Sequence, residues 1–163
     1  GAGGGGEEGS TAVVVLIRDG VLYCANTGDS RAVLCRKGRT LALSDDHKPS
    51  RTDERMRIEQ QGGYVLYNRV MGRLAVSRAF GDKGLKDFVT AEPEVTVTPL
   101  EAGDDYLLLG CDGLWDVANN DQAAQVLRRY VQGKGLGGAA RALTTYAVCS
   151  GSNDNVTALV VGL

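Results

Sequence analysis

Three aspartates stand where an apolar stretch meets a turn. Asp29 follows residues 21–25 and their Asn26-Thr27-Gly28 exit, Asp112 ends the run 106–110 just ahead of Gly113, and Asp154 lies in Ser152-Asn153-Asp154-Asn155 before a last apolar run. A carboxylate at the mouth of a buried strand is costly to desolvate alone and calls for a cation or hydrogen-bond donors. If the three converge, hard oxygen ligands without His or Cys select Mg2+ or Mn2+ over zinc or copper. The competing reading is local. An Asp at a turn caps neighbouring backbone N–H groups, and Asp45, Asp46, Asp116 and Asp121 are read that way. Spacing alone does not choose between the two, because the three aspartates lie far apart in the chain.

The elements that must position them are short and β-rich. Residues 11–17, the Asp19-Gly20 turn and residues 21–25 predict a hairpin; after the turn at 28–31, residues 32–35 and 40–43 add two more strands around Lys37-Gly38. Short connections predict an antiparallel meander of all four strands. A charged surface helix is predicted over 52–62, with Thr52 as N-cap and Gly62-Gly63 as its stop. Residues 64–90 mix apolar pairs with Gly and Arg, the pattern of an irregular functional segment. Strands follow at 95–97 and 106–110, the second apolar on both faces and suited to lie between layers. Two amphipathic helices are predicted, one capped by Asn120 and the other over 136–149, before a closing two-sided apolar strand at 156–161. The sum is an α+β fold, a layered sandwich of antiparallel sheets whose outer faces are covered by helices.

Composition limits the alternatives. At 163 residues the chain fits one domain, expected to be ordered over 10–163 behind a flexible Gly-rich lead-in at 1–9. A net charge of −2 offers no basic field for nucleic acid or an anionic membrane, and no stretch reaches the length needed to span a bilayer. No secretory signal is expected, and Cys24, Cys35, Cys111 and Cys149 never form C-x-x-C; the first three fall in apolar runs, as buried thiols do. A cytoplasmic or nuclear protein and a monomer are expected. His47, the one histidine, is read as a structural loop residue. Arg31 and Arg78 are read as ion-pair partners, and Arg51, Arg55 and Arg57 as a solvated helix face. Gly133-Lys134-Gly135-Leu136-Gly137-Gly138 matches G-x-G-x-x-G but follows a helix rather than a strand, so it is read as a helix–helix linker.

Six segments in order carry a resemblance. Gly9-Ser10-Thr11-Ala12, Gly28-Asp29-Ser30-Arg31, Asp46-His47-Lys48-Pro49, the stretch from Leu74 to Asp82, Cys111-Asp112-Gly113-Leu114-Trp115-Asp116 and Ser152-Asn153-Asp154-Asn155 resemble motifs of the metal-dependent type 2C (PPM) protein serine/threonine phosphatases. The resemblance runs from Ser10 to Leu163. It implies a β-sandwich flanked by helices, phosphoprotein substrates, and a two-metal Mg2+ or Mn2+ centre that activates water to attack phosphoserine or phosphothreonine. By position, Asp112 and Asp154 would ligate one metal of the pair, and Asp29 would share a third, weaker metal with Asp112. Residues 48–87 would correspond to a variable flap that influences substrate choice.

The family's site also uses an upstream part with a bridging Asp in an Asp-Gly-His-Gly-Gly segment and a phosphate-holding Arg. No Asp-Gly-His occurs in this sequence. The domain is therefore expected to be incomplete at its N-terminus, and the chain alone weak or inactive. The alternative function is a pseudophosphatase that uses the same fold as a binding module.

Overall fold

The computed structural model describes residues 8–163. The expected lead-in at 1–9 therefore lies largely outside the described residues; of its end, Gly9–Ser10 form β1. The chain continues through β2 (Ala12–Arg18), β3 (Val21–Thr27), β4 (Arg31–Arg36), β5 (Arg39–Ala42) and helix α1 (Thr52–Gln60). Short strands β6 (Val65–Leu66), β7 (Arg69–Val70) and β8 (Phe80–Gly81) precede β9 (Glu94–Pro99) and β10 (Asp104–Gly110). Then come α2 (Asp112–Trp115), α3 (Asn120–Lys134), α4 (Ala139–Cys149) and β11 (Ala158–Gly162). The fold is α+β, as the sequence predicts.

The predicted four-strand meander is corrected: its two hairpins belong to different sheets. β2, β3 and β9 form one antiparallel sheet, and β11, β10, β4 and β5 form the other, in those orders. The chain crosses between them at Gly28-Asp29-Ser30, where Gly28 takes φ +114°, and a Cβ there would fall 2.3 Å from the Thr11 side chain. That conformation and closeness suit glycine alone.

Side-chain alternation explains the layering. On β4, Ala32 and Leu34 join Leu22, Cys24, Leu43 and Leu107 between the two sheets, while Val33 and Cys35 face the helices with Leu108, Leu127 and Leu143. A strand buried on both faces reads as a continuous apolar run, which is why 106–110 was legible. Among the described residues helices cover only one outer face, where α3 and α4 pack on the four-stranded sheet. The outer face of the other sheet is open, with Val14, Leu16, Val95 and Val97 each more than half exposed.

Several boundaries differ from expectation; among them α1 ends at Gln60 rather than 62, and α4 starts at Ala139 rather than 136. Asn119, not Asn120, caps α3, because its side chain accepts from the Gln122 N–H and completes a capping box. Arg51, not Thr52, occupies the N-cap of α1 and makes no side-chain cap. The last strand starts at Ala158 rather than 156, since Thr157 is bonded to Cys111; it is an edge strand with Leu159 54% exposed, not buried on both faces. Cys24 and Cys35 are buried, whereas Cys111 is half-buried and Cys149 exposed.

Helix α1 is not a merely solvated face. Ile58 is buried against Val70, Val76, Ala79, Leu85 and Val89, a small core inside the 64–90 segment. Glu54, 1% exposed, accepts from Arg78 (2.7 Å) and Arg57 (2.9 Å), and Arg57 also donates to the carbonyls of Ser77 and Phe88. Arg51 donates to Asp53 and Glu94, so of the three arginines only Arg55 is left on the exposed face, paired with Glu59. Burial pushes the Glu54 carboxyl up, but bonds from Arg78, Arg57 and Ser77 outweigh it and bring it from 4.5 to about 2. The stability contributed by this depressed carboxyl is complete above 4.5 and is lost as pH falls through about 2. Glu54→Gln should cost about 3 kcal/mol at neutral pH, because it strands two guanidinium groups. Urea unfolding at pH 7 and pH 3 should show the wild-type advantage shrinking at the lower pH.

Candidate metal centre

Strand register places all three aspartates at one end of one sheet. Arg31 of β4 pairs with Gly110 of β10, and Gly110 pairs with Ala158 of β11, so these residues form a row across three strands. Asp29 lies two residues before that row, Asp112 two residues after it and Asp154 four before it. Neighbouring antiparallel strands run oppositely, so "before" on β4 and β11 and "after" on β10 point the same way.

Local bonds hold each turn in place. The Cys111 N–H donates to Thr157 O, the Cys111 thiol to Asn155 O, and Ser152 Oγ to Gly113 O at 2.7 Å. A Cβ on Gly113 would fall 2.3 Å from Asn155 O, so the loop carrying Asp154 lies directly on the turn carrying Asp112. At β4, Arg31 grips Asp46 through two 2.8 Å bonds, donates to Asn120 Oδ1 at 2.8 Å and lies 5.1 Å over the Trp115 ring. Arg31 thus ties β4, the 44–51 loop, α2 and α3 together. The ion-pair roles expected for Arg31 and Arg78 agree with these contacts.

His47 is fully buried. Its N–H donates to Gly28 O and its Nδ1 accepts from the Gly28 N–H, closing the turn beside Asp29. Its carbonyl accepts from both the N–H and Oγ of Ser77, which joins that turn to the 64–90 segment. Burial, then the charges of Arg78 and Arg51, hold the ring below its ordinary pKa and hence neutral.

Asp29 and Asp112 line one cleft together with Ser10, Thr11, Val76 and Asp82. Asp29 is buried, Asp112 half-buried and Asp154 exposed. The Asp112 carboxyl is raised, first by desolvation and then by the negative charges of Asp29 and Asp154. A carboxyl raised by two neighbouring negative charges fits contact with a cation, and all-oxygen donors suit a hard one. The set is partial: among the described residues no three Asp, Glu, His or Cys side chains are grouped closely enough to hold a metal. Sequence reasoning did not single out two cleft neighbours. Lys48 pairs with Asp29 at 2.5 Å, and Asp82 enters the cleft from the far end of the 64–90 segment. Both stand in segments quoted for the resemblance, but neither carries a signal of its own.

Residues 5–156 match the profile of protein phosphatase 2C. The chain belongs to this family. Protein phosphatase 2C 37 of Arabidopsis thaliana is 47% identical over 95% of this chain and 42% of its own length. Probable protein phosphatase 2C 68 of Oryza sativa subsp. japonica is 49% identical over 95% of this chain and 45% of its own. Among solved structures, a serine-threonine phosphatase 2C from Toxoplasma gondii superposes with a TM-score of 0.84 at 29% identity, covering 94% of this chain and 58% of that one. A C. elegans sex determining protein superposes with a TM-score of 0.85 at 33% identity, over 94% and 40%. The chain spans less than half the length of the curated relatives it matches. No helix among the described residues is long and apolar enough to cross a membrane.

In this phosphatase 2C fold, the mutual repulsion at Asp112 should be relieved by a neutral isostere. Asp112→Asn keeps the bond from the Gly113 N–H (2.9 Å) and removes one of the charges. It should therefore raise the metal-free melting temperature by about 3 °C, the equivalent of about 1 kcal/mol for a domain of this size. Differential scanning calorimetry in EDTA checks this; a fall of several degrees would contradict the electrostatic reading.

Proposed function

We propose that residues 10–163 form part of a catalytic domain that hydrolyses phosphoserine and phosphothreonine in protein substrates, using Mg2+ or Mn2+ held in part by Asp112, Asp154 and Asp29. The observation that carries this is the position of three carboxylates at one end of the four-stranded sheet, with Asp112 raised by the charges of the other two, in a chain of the phosphatase 2C family. When bound, the cation supplies Lewis acidity, making water a stronger acid and offsetting charge on the phosphoryl oxygens. The chain's own residues do the positioning. Asp112 and Asp154 come from loops stitched to each other, and Asp29 comes from a turn closed by His47. The ladder beneath them holds their spacing, which is what a preorganised ligand set needs.

The set is incomplete within this chain, so the remaining ligands and the phosphate-holding cation would come from the rest of a longer protein. The 163-residue chain alone should therefore turn over p-nitrophenyl phosphate with Mn2+ at near-background rates. In the whole protein, Asp112→Asn should lower kcat by more than about a hundredfold, since even indirect partners of metal ligands cost 10–100-fold. Asp29→Asn should cost roughly tenfold, as a contributor to a weaker position. Turnover by the isolated chain equal to that of a complete family member would refute the partial-site reading. Undiminished kcat in Asp112→Asn would refute the assignment of Asp112.

A further inference from the structure

The cation beside Asp29 in this structure belongs to the chain itself. Lys48 Nζ lies 2.5 Å from Asp29 Oδ2 and 3.9 Å from Asp116 Oδ1. The Asp29 side chain is only 7% exposed, so its charge needs a close partner, and Lys48 supplies one. The ammonium is not there by chance of rotamer alone. Its chain neighbour His47 is bonded to Gly28 in both directions, which holds the Lys48 backbone beside the turn that carries Asp29. The acidic groups facing Lys48 are Asp29, Asp116 and Asp46, and Asp46 is already held by Arg31.

The carboxylate group is therefore asymmetric. Asp29 is neutralised by a side chain, whereas Asp112 accepts from the Gly113 N–H and faces the negative charges of Asp29 and Asp154. We propose that Lys48 is an internal counter-cation that competes with a divalent metal for Asp29, so that a metal reaches Asp29 only by displacing the ammonium. This rests on the metal reading given above and adds a device to it. Two cations cannot share one small, largely buried carboxylate without repelling each other, and the lysine stem is flexible enough to swing the ammonium toward solvent. Binding at Asp112 and Asp154 needs no such displacement. Entry at Asp29 is then the weaker and later event, and Lys48 sets its affinity.

The test is calorimetric titration of the whole protein with MnCl2, comparing wild type with Lys48→Met, Lys48→Arg and Asp112→Asn. Lys48→Met should tighten Mn2+ binding about tenfold, equivalent to about 1.4 kcal/mol. Lys48→Arg, which keeps the charge, should stay within about twofold of wild type. Unchanged or weaker affinity in a folded Lys48→Met protein overturns the competition, and the metal reading survives if Asp112→Asn still loses Mn2+. Absence of binding in every variant overturns both. A measurement on the unmodified chain guards against misfolding of the variant: saturating Mg2+ should move the Lys48 side-chain NMR resonances toward those of a free lysine. Resonances that stay in place at saturation overturn the proposal.

Discussion

The antiparallel ladder joining β4, β10 and β11 is the constraint on which the candidate site depends. It sets Arg31, Gly110 and Ala158 side by side, and with them the turns that carry Asp29, Asp112 and Asp154. A slip of one residue in either pairing would move an aspartate along the sheet edge and turn every side chain of that strand to the wrong layer. Register is protected against such a slip because both faces of β4 and β10 are buried. One face meets the second sheet and the other meets α3 and α4. The core that stabilises the sandwich is thus also what spaces the carboxylates.

Around that ladder, charge is managed by pairing. Arg31 with Asp46, and Glu54 with Arg57 and Arg78, are part-buried clusters in which each guanidinium meets a carboxylate at hydrogen-bond distance. They tie loops to the sandwich, and the cleft is walled by those loops. The carboxyl of Asp112 is the exception: it stands among like charges and is raised by them. Stability is spent at that position rather than gained, which is the usual condition of a site built to receive a charged ligand.

The segment between α1 and β9 holds strands of only two residues each, and side-chain contacts anchor it. It has its own small core around Ile58, Val70 and Leu85. It is joined to the Asp29 turn through Ser77 and the carbonyl of His47, and to α1 through the Glu54 cluster. Those two attachments fix its inner edge beside the cleft, while its tip, with Tyr67 and Asn68 in left-handed conformations, projects outward.

Much of this was written in the amino-acid sequence. Apolar alternation and turn residues marked the strands, 3.6-residue spacing marked α3 and α4, and the ordered segments from Gly9 to Asn155 marked the family. Local signals of that kind survive in sequence because they arise from the chain's own geometry. What only the tertiary structure decided is partnership. Residues 11–43 read as one meander, yet the turn at Gly28 sends its halves to different sheets. Arg51 and Arg57 read as solvated, yet they reach residues far along the chain. Lys48 had no signal of its own until the fold set it against Asp29. Pairing across sheets and through salt bridges depends on contacts between residues distant in sequence, and no window along the chain contains both partners.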